Sequence, residues 1–209
     1  KKNINKLESR ANSDWSTYSK INSYSDNEYV KKEKYVSEFV KSQNISCLLD
    51  IGCNDGHFAN ICFNSDVDEV VGIDNDLDAL DKAYIRFKEK KLNFYSIYQN
   101  FSNPSPAIGW DNKERFSFTD RFKDKFDGVI CLALIHHICI GKNVPIEMFI
   151  KYLGNFSNNF LLEFVSKEDE MVKNLLRNKE NLIKYYNLEL LRKNISKDYK
   201  IIFETKITD

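Results

Sequence analysis

Short apolar runs alternate along this chain with longer stretches of helical periodicity. The run Cys47–Ile51 leads directly into Gly52, a pattern that predicts a buried parallel strand. Comparable runs predict further strands at residues 70–73, 92–98, 129–134, 159–165 and 199–207. The alternation of strands with helical stretches is typical of an α/β protein.

Helical periodicity is clearest at residues 26–41 and 76–90, which both place apolar residues on one face. In the second stretch we expect four side chains to face inward: Leu77, Leu80, Tyr84 and Phe87. A further helix should begin near Pro145. Residues 101–125 contain prolines, a glycine and a tryptophan, which predicts a long loop; such loops in compact domains are usually functional.

The turn after the first strand contains the clearest functional motif. Gly52 and Gly56 permit a tight turn, and a helix begins at His57, so a strand, a glycine turn and a helix N-terminus together predict a ligand site. A dinucleotide fingerprint would place glycines where this chain has Asn54 and His57. The Asp55 side chain adds a negative charge that would repel a phosphate.

The residues around this turn are acidic. Residues 42–81 contain nine Asp or Glu residues and no Lys or Arg. Such a site suits a cationic ligand that lacks phosphate. S-adenosylmethionine (SAM) fits this description, because it carries a sulfonium and an ammonium group together with a ribose and an adenine.

Carboxylate and amide side chains follow the next two predicted strands. Asp74 ends the second strand 18 residues after Gly56, where a βαβ unit places the carboxylate that binds ribose hydroxyls, and Asn75 follows it. The third strand ends at Asn100, whose amide could bond the adenine edge. The residues that we predict to bind the cofactor are Tyr18, Asp50, Gly52, Cys53, Asn54, Gly56, Asp74, Asn75, Asn100 and Leu132.

The motifs L-D-I-G-C-N-D-G and G-I-D-N resemble motifs I and II of the class I SAM-dependent methyltransferases. The segments at 103–115, 133–145 and 161–169 also resemble the methyltransferase family that includes a rhizobial nodulation protein. This chain departs from that family's pattern at Asn100, usually Asp, and at residues 179–181, usually Arg-Glu-Asp. The resemblance implies an α/β, Rossmann-like class I methyltransferase fold: a mostly parallel, doubly wound sheet with helices on both faces.

The resemblance also implies a methyl acceptor, with a sugar hydroxyl as the expected group and S-adenosylhomocysteine as the product. His136 and His137 follow the fourth predicted strand, and we expect one of them to act as a base for the acceptor hydroxyl. Holding a loop by hydrogen bonds is the alternative role. A metal site is disfavoured, because the third histidine, His57, lies in the cofactor turn. Glu163 could face the acceptor or belong to the following helix cap.

Residues 13–25 are aromatic and polar but contain few aliphatic side chains. We interpret them as a lid over the cofactor, with Tyr18 contacting it, and a segment of the core is the alternative. The predicted organisation is one domain over residues 1–209. Residues 1–41 would form a lid or helical segment and residues 42–209 the Rossmann-like core, with its last strand missing from the chain.

The charge balance and the cysteine pattern of the chain limit the compartment and the partners that we expect. The chain has 31 basic and 31 acidic residues, no apolar signal sequence and five cysteines without a C-x-x-C pair. We therefore expect a cytoplasmic protein with a small-molecule or glycan acceptor, no nucleic acid and no membrane span, and membership of a larger biosynthetic assembly stays open. An RNA or protein methyltransferase is one alternative, since residues 82–91 and 113–125 are basic. A non-catalytic SAM-binding module is another.

Overall fold

The computed structural model describes residues 26–207 except residue 178. The strands are β1 Cys47–Ile51, β2 Glu69–Asp74, β3 Asn93–Tyr98, β4 Gly128–Cys131 and β5 Phe160–Leu162. The helices are α1 Asp26–Ser42, α2 His57–Phe63, α3 Leu77–Glu89, α4 Phe118–Phe122, α5 Ile146–Leu153, α6 Glu170–Leu176 and α7 Leu188–Asp198. Three short turns complete the set: the 3₁₀ turns Trp110–Asn112 and Glu180–Tyr185, and the π-helical turn His137–Gly141.

The five strands form one parallel sheet in the order β3-β2-β1-β4-β5. Strand β1 lies in the middle, and Asp50 pairs in register with Gly72 of β2 and Ile130 of β4. Strands β2 and β3 are added on one side of β1, and β4 and β5 on its other side, so the strand order reverses between β1 and β4. An open α/β sheet binds its ligands at the carboxyl ends of the strands beside such a reversal.

Consecutive residues of β1 contribute to two different apolar clusters. Leu48 packs with residues of α1, α2 and α3, whereas Leu49 packs with residues of α4, α5, α6 and α7. Because successive strand residues point to opposite faces, helices cover both faces of the sheet. The α/β, doubly wound parallel sheet predicted from the sequence is confirmed.

Helix α3 confirms the predicted element but corrects its buried face. The Asp76 side chain caps it by accepting hydrogen bonds from two backbone N–H groups of its first turn. Leu80 and Phe87 are buried as predicted, but Leu77 and Tyr84 are exposed. The small residues Ala79 and Ala83 fill the buried face instead, which lets the helix approach its neighbours closely.

Three predicted strands differ from the structure, and one of them, β5, ends at Leu162 rather than at residue 165. Strand β4 ends at Cys131 rather than Leu134, because Ala133 adopts a left-handed backbone conformation with φ 48° that interrupts extended chain. The strand predicted at 199–207 is wrong: this segment is irregular and largely exposed. It makes side-chain contacts with α1, such as the 5.2 Å ring contact between Tyr35 and Phe203, instead of pairing with a strand.

No helix within residues 26–207 is long and apolar enough to cross a membrane.

Candidate active site

The turn between β1 and α2 is held against the end of β2. The backbone N–H groups of Gly52 and Cys53 donate to the Ile73 carbonyl at 2.9 and 3.1 Å. Gly52 and Gly56 have φ values of 78° and 76°, a left-handed conformation that favours glycine. At Gly56 an added Cβ would also come within 2.5 Å of a buried phenylalanine ring. Both glycines are therefore needed for the shape of this turn.

Asp74 connects the turn to the second strand. Its carboxylate accepts hydrogen bonds from the backbone N–H groups of Asn54 at 2.9 Å and Asp76 at 3.0 Å. Burial raises the pKa of Asp74, and these N–H groups act against that rise. Each carboxylate oxygen has a second acceptor position, so Asp74 can also receive hydrogen bonds from ligand hydroxyls.

Asp50 is buried at the end of β1, and its Oδ2 atom has no hydrogen-bond partner among the described residues. Burial, and then the Asp74 carboxylate, raise the pKa of Asp50 to about 8. A buried polar atom without a partner is costly unless a ligand satisfies it. An ammonium group would do so, and the residues of this turn therefore fit the aminoacyl end of SAM.

Two side chains of the turn, Asp55 and His57, have partners on neighbouring helices. The turn is therefore less negatively charged than the sequence predicts. Arg86 of α3 donates to the Asp55 carboxylate at 3.0 Å, so the negative charge of Asp55 is partly compensated. The sequence had indicated an uncompensated carboxylate here. The His57 ring contacts Glu33 of α1 at 2.8 Å, which directs it towards that helix.

The structure brings several of the other predicted cofactor residues to the same edge of the sheet. Asn75 is exposed directly after β2, and Leu132 is half-buried directly after β4. Asn100 follows β3, but its side-chain oxygen already accepts two hydrogen bonds from Ser102 at 3.0 and 2.7 Å. Only the amide N–H groups of Asn100 then remain for a ligand. Tyr18 and the rest of the predicted lid lie outside the described residues.

His136 and His137 lie five and six residues beyond the end of β4, with ring centroids 4.1 Å apart. His136 is buried, and its Nδ1 atom has no hydrogen-bond partner among the residues that the structure describes. Burial, followed by the charges of His137 and Lys32, lowers the pKa of His136 to about 3. Burial also lowers the pKa of His137, and Asp169 opposes this. Both rings are therefore neutral at pH 7.

The sequence interpretation missed a buried ion pair beside the histidines. Lys32 of α1 contacts both carboxylate oxygens of Glu163, at 2.7 and 2.9 Å, and both side chains are more than nine-tenths buried. Glu163 follows β5, and its N–H donates to the Cys131 carbonyl at the end of β4. The sequence does contain one signal of this pair, because Lys32 falls between Tyr29 and Val36 on the apolar stripe of α1. A lysine on a buried face needs a partner of opposite charge.

Asp169 has two contacts that bear on its role. Its Oδ1 atom accepts hydrogen bonds from the N–H groups of Met171 at 2.8 Å and Val172 at 3.3 Å, so it caps α6. Its charge also acts on His137. Asp169, and not Glu163, therefore caps this helix, and the same carboxylate acts on His137. Within the described ranges no group of three or more His, Cys, Asp or Glu side chains could hold a metal ion.

The methyltransferase domain family matches residues 23–193 of this chain, and the chain belongs to that family. The cofactor of these enzymes is SAM. The chain is 33% identical over 188 residues to the nodulation protein NoeA of Rhizobium meliloti strain 1021. That match covers 90% of this chain and 39% of the relative, so the chain spans about two fifths of its length.

Solved structures with low sequence identity have the same fold. The methyltransferase domain of bacterial CtHen1-C is 17% identical, with a TM-score of 0.55 over 82% of this chain and 85% of that one. YcgJ from Bacillus subtilis is 17% identical, with a TM-score of 0.54 over 81% and 68%. WbdD, a bifunctional kinase-methyltransferase, is 15% identical, with a TM-score of 0.55 over 73% and 32%.

The buried Asp50 carboxyl predicts that cofactor binding depends on pH. Because the pKa of Asp50 is about 8, the free protein carries this group mostly protonated at pH 7. A bound ammonium favours the ionised form, so binding should release a proton. We expect SAM affinity to rise as pH increases towards about 8 and to fall above it, where the amino group of SAM loses its proton. Calorimetry at pH 7 in buffers of different ionisation enthalpy measures the released proton.

The matched control is Asp50→Asn, which keeps the shape of the side chain but cannot ionise. At pH 7 the amino group of free SAM is already mostly protonated, so its own titration contributes little to the proton balance. The variant should show a smaller proton release than the unmodified protein. Equal proton release from both proteins would contradict a role for Asp50.

Proposed function

We propose that this domain transfers the methyl group of SAM to a hydroxyl group of a sugar or a related small molecule. The observation that carries the proposal is the neutral histidine pair beside the carboxyl edge of the sheet, with the buried Nδ1 of His136 lacking a hydrogen-bond partner within residues 26–207. A neutral hydroxyl benefits from a base as its new bond forms, and neutral imidazole can accept its proton. The sequence resemblance supports a sugar as acceptor.

The cofactor would be held by residues at the ends of β1, β2 and β3. Asp74 would accept hydrogen bonds from the ribose hydroxyls, Asp50 would bind the ammonium group, and Asn100 would donate to the adenine ring. The backbone of the Gly52–Gly56 turn would line the aminoacyl end. When bound, SAM supplies an electrophilic methyl group on a sulfonium.

The acceptor side would use the histidines in two different ways. His137 is half-buried and lies near the Asp169 carboxylate, so it is the better placed to take a proton and to hold it. His136 is buried, and burial keeps its pKa far too low for it to hold a proton at pH 7. Its Nδ1 would instead accept a hydrogen bond that orients the hydroxyl, and such positioning can supply much of the acceleration.

Labelled SAM, incubated with a panel of sugars, nucleotide sugars and glycan intermediates, tests the proposed reaction directly. A sugar product labelled on oxygen is the expected result. Label recovered only in added RNA or protein would move the acceptor to another class. Binding of SAM without transfer to any acceptor in the panel would support a non-catalytic binding module.

Asp74→Ala should weaken SAM binding by about 1.5–3 kcal/mol, because it removes a charge-assisted hydrogen-bond acceptor. That loss corresponds to roughly a 10- to 150-fold higher dissociation constant. Calorimetry with SAM and with S-adenosylhomocysteine measures it, and NAD should bind neither protein. Asp68→Ala, at the amino end of the same strand, is the control and should bind SAM normally. Normal SAM binding by Asp74→Ala would refute the assigned cofactor site.

A further inference from the structure

The segment that contains the histidine pair has an unusual backbone. A π-helical turn starts at His137 and ends at Gly141. Ala133 before it and Asn143 after it have φ values of 48° and 58° although neither is glycine. π-helical turns are rare and often lie at functional sites. Left-handed backbone is strained for residues other than glycine and persists where the surroundings hold it in place.

Lys179, in the connection after α6, contacts the end of this segment. Its Nζ donates to the carbonyls of Ile140 at 2.9 Å and Gly141 at 3.4 Å, and to Oδ1 of Asn143 at 3.3 Å. An ammonium has three donors, and three acceptors of one short segment surround this one. Carbonyl groups at a helix C-terminus lack partners within the helix and attract positive charge. Lys179 therefore supplies a long-range cap to the turn that His137 starts.

Nothing in the separation along the chain suggests this contact, because Lys179 lies 39 residues after Ile140. The connection is also anchored independently, since the Lys179 N–H donates to the Leu176 carbonyl at 2.7 Å. On its buried side the turn packs against the core through Ile138, Cys139 and Ile140. The turn is thus fixed between the core on one side and the Lys179 ammonium at its end.

We propose that Lys179 is a positioning residue for methyl transfer, which holds the π-helical turn so that the histidine pair keeps the orientation needed by the acceptor hydroxyl. The inference rests on the proposed function of the two histidines. Within residues 26–207 the Lys179 ammonium donates to the end of the turn, so its effect on the rings would pass through the backbone of the turn. Displacement of a reacting group by about 1 Å can cost on the order of 100-fold in rate.

The test compares Lys179→Met with Lys179→Arg, which keeps a positive charge and several donors. Lys142→Met is the matched control, because Lys142 is an exposed lysine at the end of the same turn. Lys179→Met should lower kcat by roughly 10- to 100-fold while the dissociation constant for SAM changes by less than about twofold. Lys179→Arg should recover most of the rate, and Lys142→Met should resemble the unmodified protein.

Two measurements do not depend on turnover. Amide hydrogen exchange at residues 138–142 should be faster in Lys179→Met and unchanged in Lys142→Met. The chain has three histidines, so ¹⁵N spectra of labelled histidine can follow each ring separately. The His136 and His137 signals should move in Lys179→Met. The His57 signal should not, because that ring contacts α1.

If Lys179→Met does not fold, Asn143→Gly provides the second variant. It removes one acceptor of the ammonium, tolerates the positive φ, and should change exchange and kcat in the same direction by a smaller amount. Faster exchange with an unchanged kcat would overturn the positioning role. So would a loss of kcat that matches the loss of folded protein. If His136 and His137 variants keep full activity, the proposed function fails instead, whatever Lys179 does.

Discussion

Replacing His137 by alanine should lower the turnover of methyl transfer by roughly 10²–10⁴-fold, the usual contribution of general acid–base catalysis. The ring is half-buried, neutral at pH 7 and close to the Asp169 carboxylate, which would stabilise it once protonated. SAM affinity should barely change, because the role proposed for the ring is on the acceptor and not on the cofactor. The rate should fall at acidic pH in the unmodified protein, as His137 becomes protonated, and that fall should disappear in His137→Ala.

The histidine prediction has two internal comparisons. His136→Asn keeps a hydrogen-bonding side chain, and it should lower turnover less than His137→Ala without changing the acidic limb of the pH–rate profile. His57→Ala should leave turnover nearly unchanged, because His57 pairs with Glu33 on α1. A double variant of His136 and His137 with normal turnover would show that neither ring takes part in the chemistry. The acceptor would then be a group that needs no base.

Lys32→Met should destabilise the folded domain by about 3–5 kcal/mol, the range measured when one partner of a buried ion pair is removed. The substitution leaves the Glu163 carboxylate buried without its ammonium, between the end of β5 and α1. Burial lowers the pKa of Lys32, and Glu163 counteracts that effect, so the charged pair depends on both partners. Unfolding in urea, followed by far-UV circular dichroism, measures the loss as a lower midpoint.

The double variant Lys32→Met/Glu163→Met separates the effect of the two charges from the effect of side-chain packing. Replacing a buried pair by apolar side chains of similar volume is often neutral, so the double variant should recover most of the stability. Lys34→Met is the surface control, because Lys34 and Glu38 of α1 are exposed and 3.6 Å apart. It should change stability by less than about 1 kcal/mol. A Lys32→Met protein as stable as Lys34→Met would show that the pair does not stabilise the fold.

The shape of the turn after β1 could be predicted because its signals are local in the chain. Gly52 and Gly56 mark positions where the backbone turns with positive φ, and the short apolar run that ends at them favours a buried strand, which β1 is. The spacing to Asp74 then follows from the length of a βαβ unit. These constraints act between neighbouring residues, so a single sequence expresses them directly.

The segment that carries His136 and His137 was predicted less well, because its geometry depends on where a strand ends. The apolar run at 129–134 is continuous, yet Ala133 turns the chain after Cys131 and carries the histidines into a π-helical turn. The segment at 199–207 has the composition of a strand but contacts α1. Apolar composition indicates burial, whereas pairing requires a free sheet edge that a sequence pattern does not contain.

The sequence by itself determined which groups follow the successive strands: a glycine turn after the first, a carboxylate after the second, an amide after the third and a pair of histidines after the fourth. Only the tertiary structure decided which distant side chains support them. Lys32 meets Glu163 across 131 residues, and Lys179 meets the carbonyl of Ile140 across 39. Such contacts depend on the packing of helices against the sheet, and neither partner carries a local signal that identifies the other.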